Sequence, residues 1–340
     1  MMKSVLCVVA IALFLAACGG GGEKREESWS QSGKMYEKVW SEIDKYYPYF
    51  AEKNIDWQAV QAQFGPAFDR DLNPEEFARE LDKFLQVLDD ESVFATAPDG
   101  QTRIRPAKYK INYPLEPAAL YAPQGYTMLG KKVIRYGMVG KNIAYLRIDS
   151  LRKSEFEALH QLDLDTMFDS FKNCSGYIID LRALDNGLMD LAKRMGGHFA
   201  AKELTFGFVK VRNGPAHDDF TPLEPLKLKA DRSGKLDKPI VCLIGNRTMG
   251  AGEWLALMLR QNGAKLIGDR TRGAPGLPTV GTLTNGVRFS FSTWASFDAD
   301  MKSIGYSGIT PDIGIEAEQS LLGDKDLVLE RAMQYVAKGK

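Results

Sequence analysis

Lys238-Pro239-Ile240-Val241-Cys242-Leu243-Ile244-Gly245-Asn246-Arg247-Thr248-Met249-Gly250-Ala251-Gly252-Glu253 passes from an apolar run to a polar turn and then to a helix, Glu253 to about Arg260. A short apolar run rich in β-branched residues, closed off by proline and glycine, has the pattern of a strand buried on both faces. Asn142-Ile-Ala-Tyr-Leu-Arg-Ile148 and Gly176-Tyr-Ile-Ile-Asp-Leu-Arg182 repeat that pattern, and Lys265-Leu-Ile-Gly268 is a shorter copy. Helical stretches separate these runs. Strands alternating with helices predict an α/β core around a largely buried sheet.

Upstream, Tyr36, Val39, Trp40, Ile43 and Tyr47 recur at helical spacing, and Trp57, Val60 and Phe64 form a second stripe. A third helix has Asn73 as N-cap, Pro74 at its first position and Glu76 two residues later, with Phe77, Leu81, Phe84, Leu85 and Leu88 as its apolar face. Residues 33–95 are therefore expected to form a small helical bundle. Residues 96–140 carry Pro106, Pro114, Pro117 and Pro123, which break long elements, and are expected to connect the bundle to a core spanning 141–340. After Gly268, an Asn285-Gly286 turn between apolar alternations predicts a hairpin, and a last amphipathic helix runs from about Lys325 to Val336.

The N-terminus reads as a targeting device. Lys3 precedes an apolar stretch from Val5 to Leu15, the pattern of an exported leader over residues 1–17. Leu15-Ala16-Ala17-Cys18 resembles the lipobox of bacterial lipoproteins, which implies cleavage before Cys18 and acylation of its thiol. Residues 18–32, with Gly19 to Gly22, would be a lipidated flexible tether holding the domain at the cell envelope, at the outer membrane or periplasmic face. Of the 4 cysteines in 340 residues, Cys174 and Cys242 lie in or beside apolar runs and are read as buried free thiols. Lys+Arg and Asp+Glu both number 44, a balance unlike that of nucleic-acid-binding proteins. The 3 histidines share no short motif and no CxxC is present, so neither a metal nor another cofactor is expected.

Six segments, in order, resemble the C-terminal processing (tail-specific) serine peptidases and their tricorn-core and interphotoreceptor-retinoid-binding-protein-like relatives. They are Leu88-Asp89-Asp90, Tyr136-Gly137 through Ile148, Gly176 through Arg182, Lys238 through Glu253, Gly268-Asp-Arg-Thr271-Arg-Gly273, and Gly308-Ile-Thr-Pro-Asp312. The likeness covers roughly residues 35–320, without the inserted PDZ module of some members. It implies a ClpP/crotonase-like ββα spiral core preceded by the helical bundle, with the site between them.

Acyl transfer from a peptide needs a nucleophile, a base and donors for the oxyanion. The family's nucleophile is the serine of Thr-x-Ser-Ala-Gly-Glu, which falls on Gly250 here. One branch takes its base from the lysine of Thr-x-Gly-Lys, replaced by Ala274; the tricorn-like branch uses a histidine and a glutamate, which fall on Ser92 and Gly305. The resemblance therefore implies a peptidase fold without its catalytic side chains, binding peptides or protein C-termini rather than cutting them. The alternative is an active serine endopeptidase with non-standard residues. Backbone oxyanion donors would survive at Gly187, in the Ala183-Leu-Asp-Asn-Gly187 turn, and at Ala251. Thr248 is expected to make turn contacts and Asp180 and Arg182 to pair in the core, while His160, His198, His217, Arg272 and Lys265 are read as structural or surface residues. A crotonase-like acyl-CoA enzyme would share the core, but its chemistry is cytosolic and the leader points outward.

Overall fold

Ser30, Asp56 and Asn73 each open a helix in a computed structural model that describes residues 30–106, 108–116, 119–156, 161–231, 238–316, 321–322 and 325–338. The leader, Cys18, residues 19–29 of the tether and His160 lie outside the described residues. Helix α1 (Gln31–Tyr46) starts where Ser30 Oγ accepts from Gly33 N, so it takes in two residues assigned above to the tether. Asp56 caps α2 (Trp57–Phe64), and Asn73 and Glu76 form a reciprocal capping box on α3 (Pro74–Leu85). The stripes predicted for these helices meet in one aromatic core, where Tyr36 stacks on Phe68 and Trp57 packs on Phe84.

The chain continues through β1 (Phe94–Ala95), β2 (Thr127–Leu129), β3 (Ile134–Val139), β4 (Ile143–Ile148), α4 (Lys153–Phe156), α5 (Gln161–Ser170), β5 (Tyr177–Asp180), α6 (Met189–Gly197), β6 (Leu204–Val211) and β7 (Glu224–Leu228). Then come β8 (Ile240–Ile244), α7 (Ala251–Gln261), β9 (Lys265–Gly268), β10 (Pro278–Thr282), β11 (Arg288–Ser292), β12 (Trp294–Asp298), β13 (Ile313–Gly314) and, last, α8 (Leu327–Lys338). The central sheet has the order β13-β9-β8-β5-β4-β3-β2; it is parallel from β13 to β4 and antiparallel beyond. Alternate residues of its strands face opposite layers: Val241 and Leu243 meet α8, whereas Ile240, Cys242 and Ile244 join the cluster that holds α6 and α7. Cys174 and Cys242 are buried free thiols.

Two expected boundaries move. β2 and β3 belong to the central sheet, so a division at residue 140 would cut the β3–β4 hairpin. Phe94–Ala95, assigned to the bundle, pairs with β11 of the C-terminal hairpin, and Leu283, Val287, Phe289 and Phe291 share the bundle's core. Helical N-terminus and C-terminal hairpin therefore form one packed unit against the core.

Candidate functional site

Two strand-to-helix turns cross at the C-terminal ends of β5 and β8, where open α/β sheets place their sites. Thr248 joins them: its hydroxyl donates to Leu181 O at 2.9 Å and accepts from Gly245 N at 3.0 Å, and Met249 N reaches Leu184 O at 3.1 Å. Beneath the crossing, Arg182 is buried between Asp180 and Asp326, with bonds of 2.7–2.9 Å to both carboxylates. Burial acts to raise the Asp180 carboxyl, but the guanidinium beside it holds it below the usual carboxylate range. Thr248, Asp180 and Arg182 are scaffold, as their types and positions predict.

At the head of α7, Gly250 has φ 59° and ψ −120°, a backbone shape that L side chains rarely adopt. The turn is held by Glu253. Its fully buried carboxylate accepts from Thr271 Oγ1 at 2.6 Å, Gly273 N at 2.8 Å, Ala274 N at 2.9 Å and Gly250 N at 3.2 Å. Burial pushes this carboxyl up and the four donors pull it back, leaving it at about 7. Trp254 Nε1 adds a bond to Pro275 O at 2.7 Å, so residues 271–275 are strapped across the first turn of α7. No motif in the sequence singled out Glu253 as the organising residue, although it is the last residue of the quoted segment.

The turns, the strap and the β1/β10/β11 sheet enclose a cleft of about 410 Å³. It brings together Gly250, Ala251, Ala274, Gly187 and Ser92. Gly305 is not among its lining residues; a Cβ there would overlap the Tyr49 hydroxyl, which donates to Trp294 O and accepts from Ser296 N. Gly187 has φ 133° and lies against Leu151 too closely for a side chain. Ser92 Oγ donates to Asp90 at 2.6 Å and accepts from Ser292 N at 3.1 Å, and Asp90, raised by burial, also accepts from Tyr47. No lysine or histidine lines the cleft among the described residues. His198 contacts Asp231 and Phe168, and His217 lies between Asp44 and Phe50, both as structural residues. Arg272, read as a surface residue, instead pairs with Glu91, which Arg103 also reaches at 3.3 Å, and so ties the strap to the bundle. The other lining residues combine Glu91, Arg103, Asp185, Asn186 and Ser290 with an apolar set that includes Phe94, Met249, Trp254, Leu277, Val280 and Trp294.

The site is therefore a cleft with the left-handed Gly250 turn at the head of α7, where no side chain projects. The family model for Peptidase family S41 matches residues 142–315, and that for the Tricorn protease C1 domain matches residues 27–86. The chain is 28% identical over 184 residues to the carboxy-terminal processing protease CtpA of Bacillus subtilis, covering 53% of this chain and 36% of that protein. It is 24% identical over 291 residues to the carboxyl-terminal-processing protease of Synechocystis sp., covering 80% of this chain and 61% of the relative. A solved structure of a Parabacteroides merdae protein described as a candidate peptidase superposes with a TM-score of 0.79 at 24% identity, over 90% of this chain and 97% of that one.

Proposed function

The chain belongs to peptidase family S41, and from that premise we propose that it is a catalytically degenerate member, whose cleft binds a peptide or other ligand without hydrolysing it. One observation carries the reading: the turn that would present a nucleophile presents Gly250, and Ala274 stands beside it in a cleft without lysine or histidine among the described lining residues. An unassisted hydroxyl elsewhere would lack the proton acceptor that makes serine a nucleophile. The lipobox at Leu15–Cys18 adds that the protein is a lipoprotein, anchored through Cys18 at the outer membrane or periplasmic face of a bacterial envelope. Its tether would keep the cleft close to the membrane and leave exported peptides or protein C-termini as partners.

Incubation with a serine-reactive fluorophosphonate, and with unstructured peptides, tests the reading. Neither labelling nor cleavage is expected. A specific observation favours one alternative, an active serine endopeptidase: Ser92 lines the cleft with its hydroxyl on the buried Asp90 carboxyl. Labelling that disappears in Ser92→Ala would establish that alternative and overturn the degenerate reading.

A further inference from the structure

Away from the cleft, α6 and β7 border a hollow of about 310 Å³ whose wall is mostly charged. On β7, Leu228 is 1% exposed and packs inward, so strand alternation turns Lys227 and, just past the strand, Lys229 outward together, roughly 7 Å apart. On α6, Ala192 and Met195 are buried, which leaves Lys193 and Arg194 half-buried on the wall of the same hollow. Two elements far apart in sequence thus bring four cations to one place.

Few of these charges are answered within the protein. Lys193 and Lys229 have no ion pair or hydrogen bond among the described residues. Lys227 reaches Glu203 at 3.2 Å, but both side chains are more than half exposed, and such a pair carries little energetic weight. Arg194 leans over the Phe156 ring, its guanidinium carbon 6.0 Å from the centroid. Two carboxylates, Asp190 and Asp231, share the wall. Asp231 turns back onto α6: it lies 3.3 Å from His198 Nδ1, and a Cβ on Gly197 would come within 2.5 Å of its oxygen. Four cations against two carboxylates leave an excess of two positive charges.

The kind of charge selects the ligand. A lysine ammonium is a compact point charge, and several around one hollow suit a phosphate, which carries about two negative charges and three acceptor oxygens. The wall has one apolar residue, the buried Leu228, and no aromatic ring, so it offers nothing to hold an apolar body. A volume of about 310 Å³ is at the small end for ligand pockets, enough for a phosphate and the short polar group esterified to it. We propose that the α6–β7 hollow binds a phosphate monoester, with Lys193, Lys227 and Lys229 around its oxygens and the Arg194 guanidinium beside them. The phosphate of a lipid headgroup and that of a free phosphorylated small molecule share this chemistry. The site is separate from the cleft and does not depend on whether the cleft hydrolyses peptides.

Two probes distinguish the sources: glycerol phosphate in solution, titrated by calorimetry, and phosphatidylcholine vesicles with and without phosphatidic acid, followed by co-sedimentation. The full chain carrying Cys18→Ser serves in both, so that no acyl anchor masks binding to the vesicles. Saturable binding of glycerol phosphate, or a preference for the vesicles with phosphatidic acid, is expected, and it should weaken as sodium chloride is raised. Lys193→Gln combined with Lys229→Gln should lower the affinity about 25-fold, a factor of five for each charge removed. Lys34→Gln combined with Lys38→Gln, at two exposed positions of α1, changes the net charge equally and should leave the affinity unchanged. Lys229→Gln alone, with a loss of about fivefold, is the readout if the double variant of the hollow does not fold. Binding of glycerol phosphate shows that a free phosphate ester is sufficient; binding of the phosphatidic acid vesicles alone identifies the lipid headgroup. No saturable binding of either probe, an affinity that the variants of the hollow retain, or an equal loss in the α1 variant would overturn the proposal.

Discussion

Replacing Gly250 by serine restores the family's nucleophile in name, and the structure gives the cost and the outcome. The Cβ has space, with Ala274 O at 3.9 Å as its nearest neighbour, so no overlap opposes the substitution. The backbone does: φ 59° and ψ −120° lie outside the regions that side-chain-bearing residues favour, at a cost of about 1–3 kcal/mol. Urea denaturation should therefore show a folded variant, less stable by about that amount. Turnover should not appear. General-base assistance is worth about 10²–10⁴-fold, and no lysine or histidine lines the cleft among the described residues. Glu253 is the nearest carboxylate, and its two oxygens already accept four bonds, from Thr271, Gly273, Ala274 and Gly250 itself. Fluorophosphonate labelling and peptide cleavage should both stay at background. Cleavage by Gly250→Ser that vanishes when Glu253 is also changed would refute this reasoning, because it would show that the carboxylate is free to take a proton.

Glu253 predicts a pH dependence. Its carboxyl titrates at about 7 when folded against 4.5 for the unperturbed group, so the folded state binds the proton more tightly. The contribution of Glu253 to stability is then greatest below about 4.5 and falls by about 3 kcal/mol as pH rises through 7. Glu253→Gln should flatten that slope in urea melts, while leaving two of the four donors unmatched at about 1–3 kcal/mol each; an unchanged slope would mean another group titrates. Arg182→Met leaves Asp180 and Asp326 buried without their cation and should cost about 3–5 kcal/mol, measured by denaturation at pH 7. Gly305→Glu, which a tricorn-like repair would require, should destabilise the contact between bundle and core, because its side chain would overlap Tyr49; a soluble variant with wild-type stability would count against that geometry. Cys18→Ser should release the protein from membranes and abolish fatty-acid incorporation, and undiminished membrane association would contradict acylation at that residue.

Local pattern and spacing predicted the bundle helices, four of the central strands and the C-terminal hairpin, but not β6, β7 or β12. Asn73 with Glu76 announced α3, the apolar run before Gly245 announced β8, and Asn285-Gly286 announced the β10–β11 turn, because capping, burial and turn chemistry are decided by residues close together in the chain. Family spacing also brought Gly250, Ala274, Ser92 and Gly187 to one cleft. Other features depend on partners far apart in sequence. Arg272 looked solvated until folding set it against Glu91, 181 residues away; Gly305 proved to be a contact point for Tyr49; and Phe94–Ala95 became a strand only because β11 lies beside it. Glu253 shows the limit most clearly. Sequence places a carboxylate at the start of a helix, but only the fold removes its water and surrounds it with four donors, and these two effects, opposed in sign, set both its charge and the shape of the cleft.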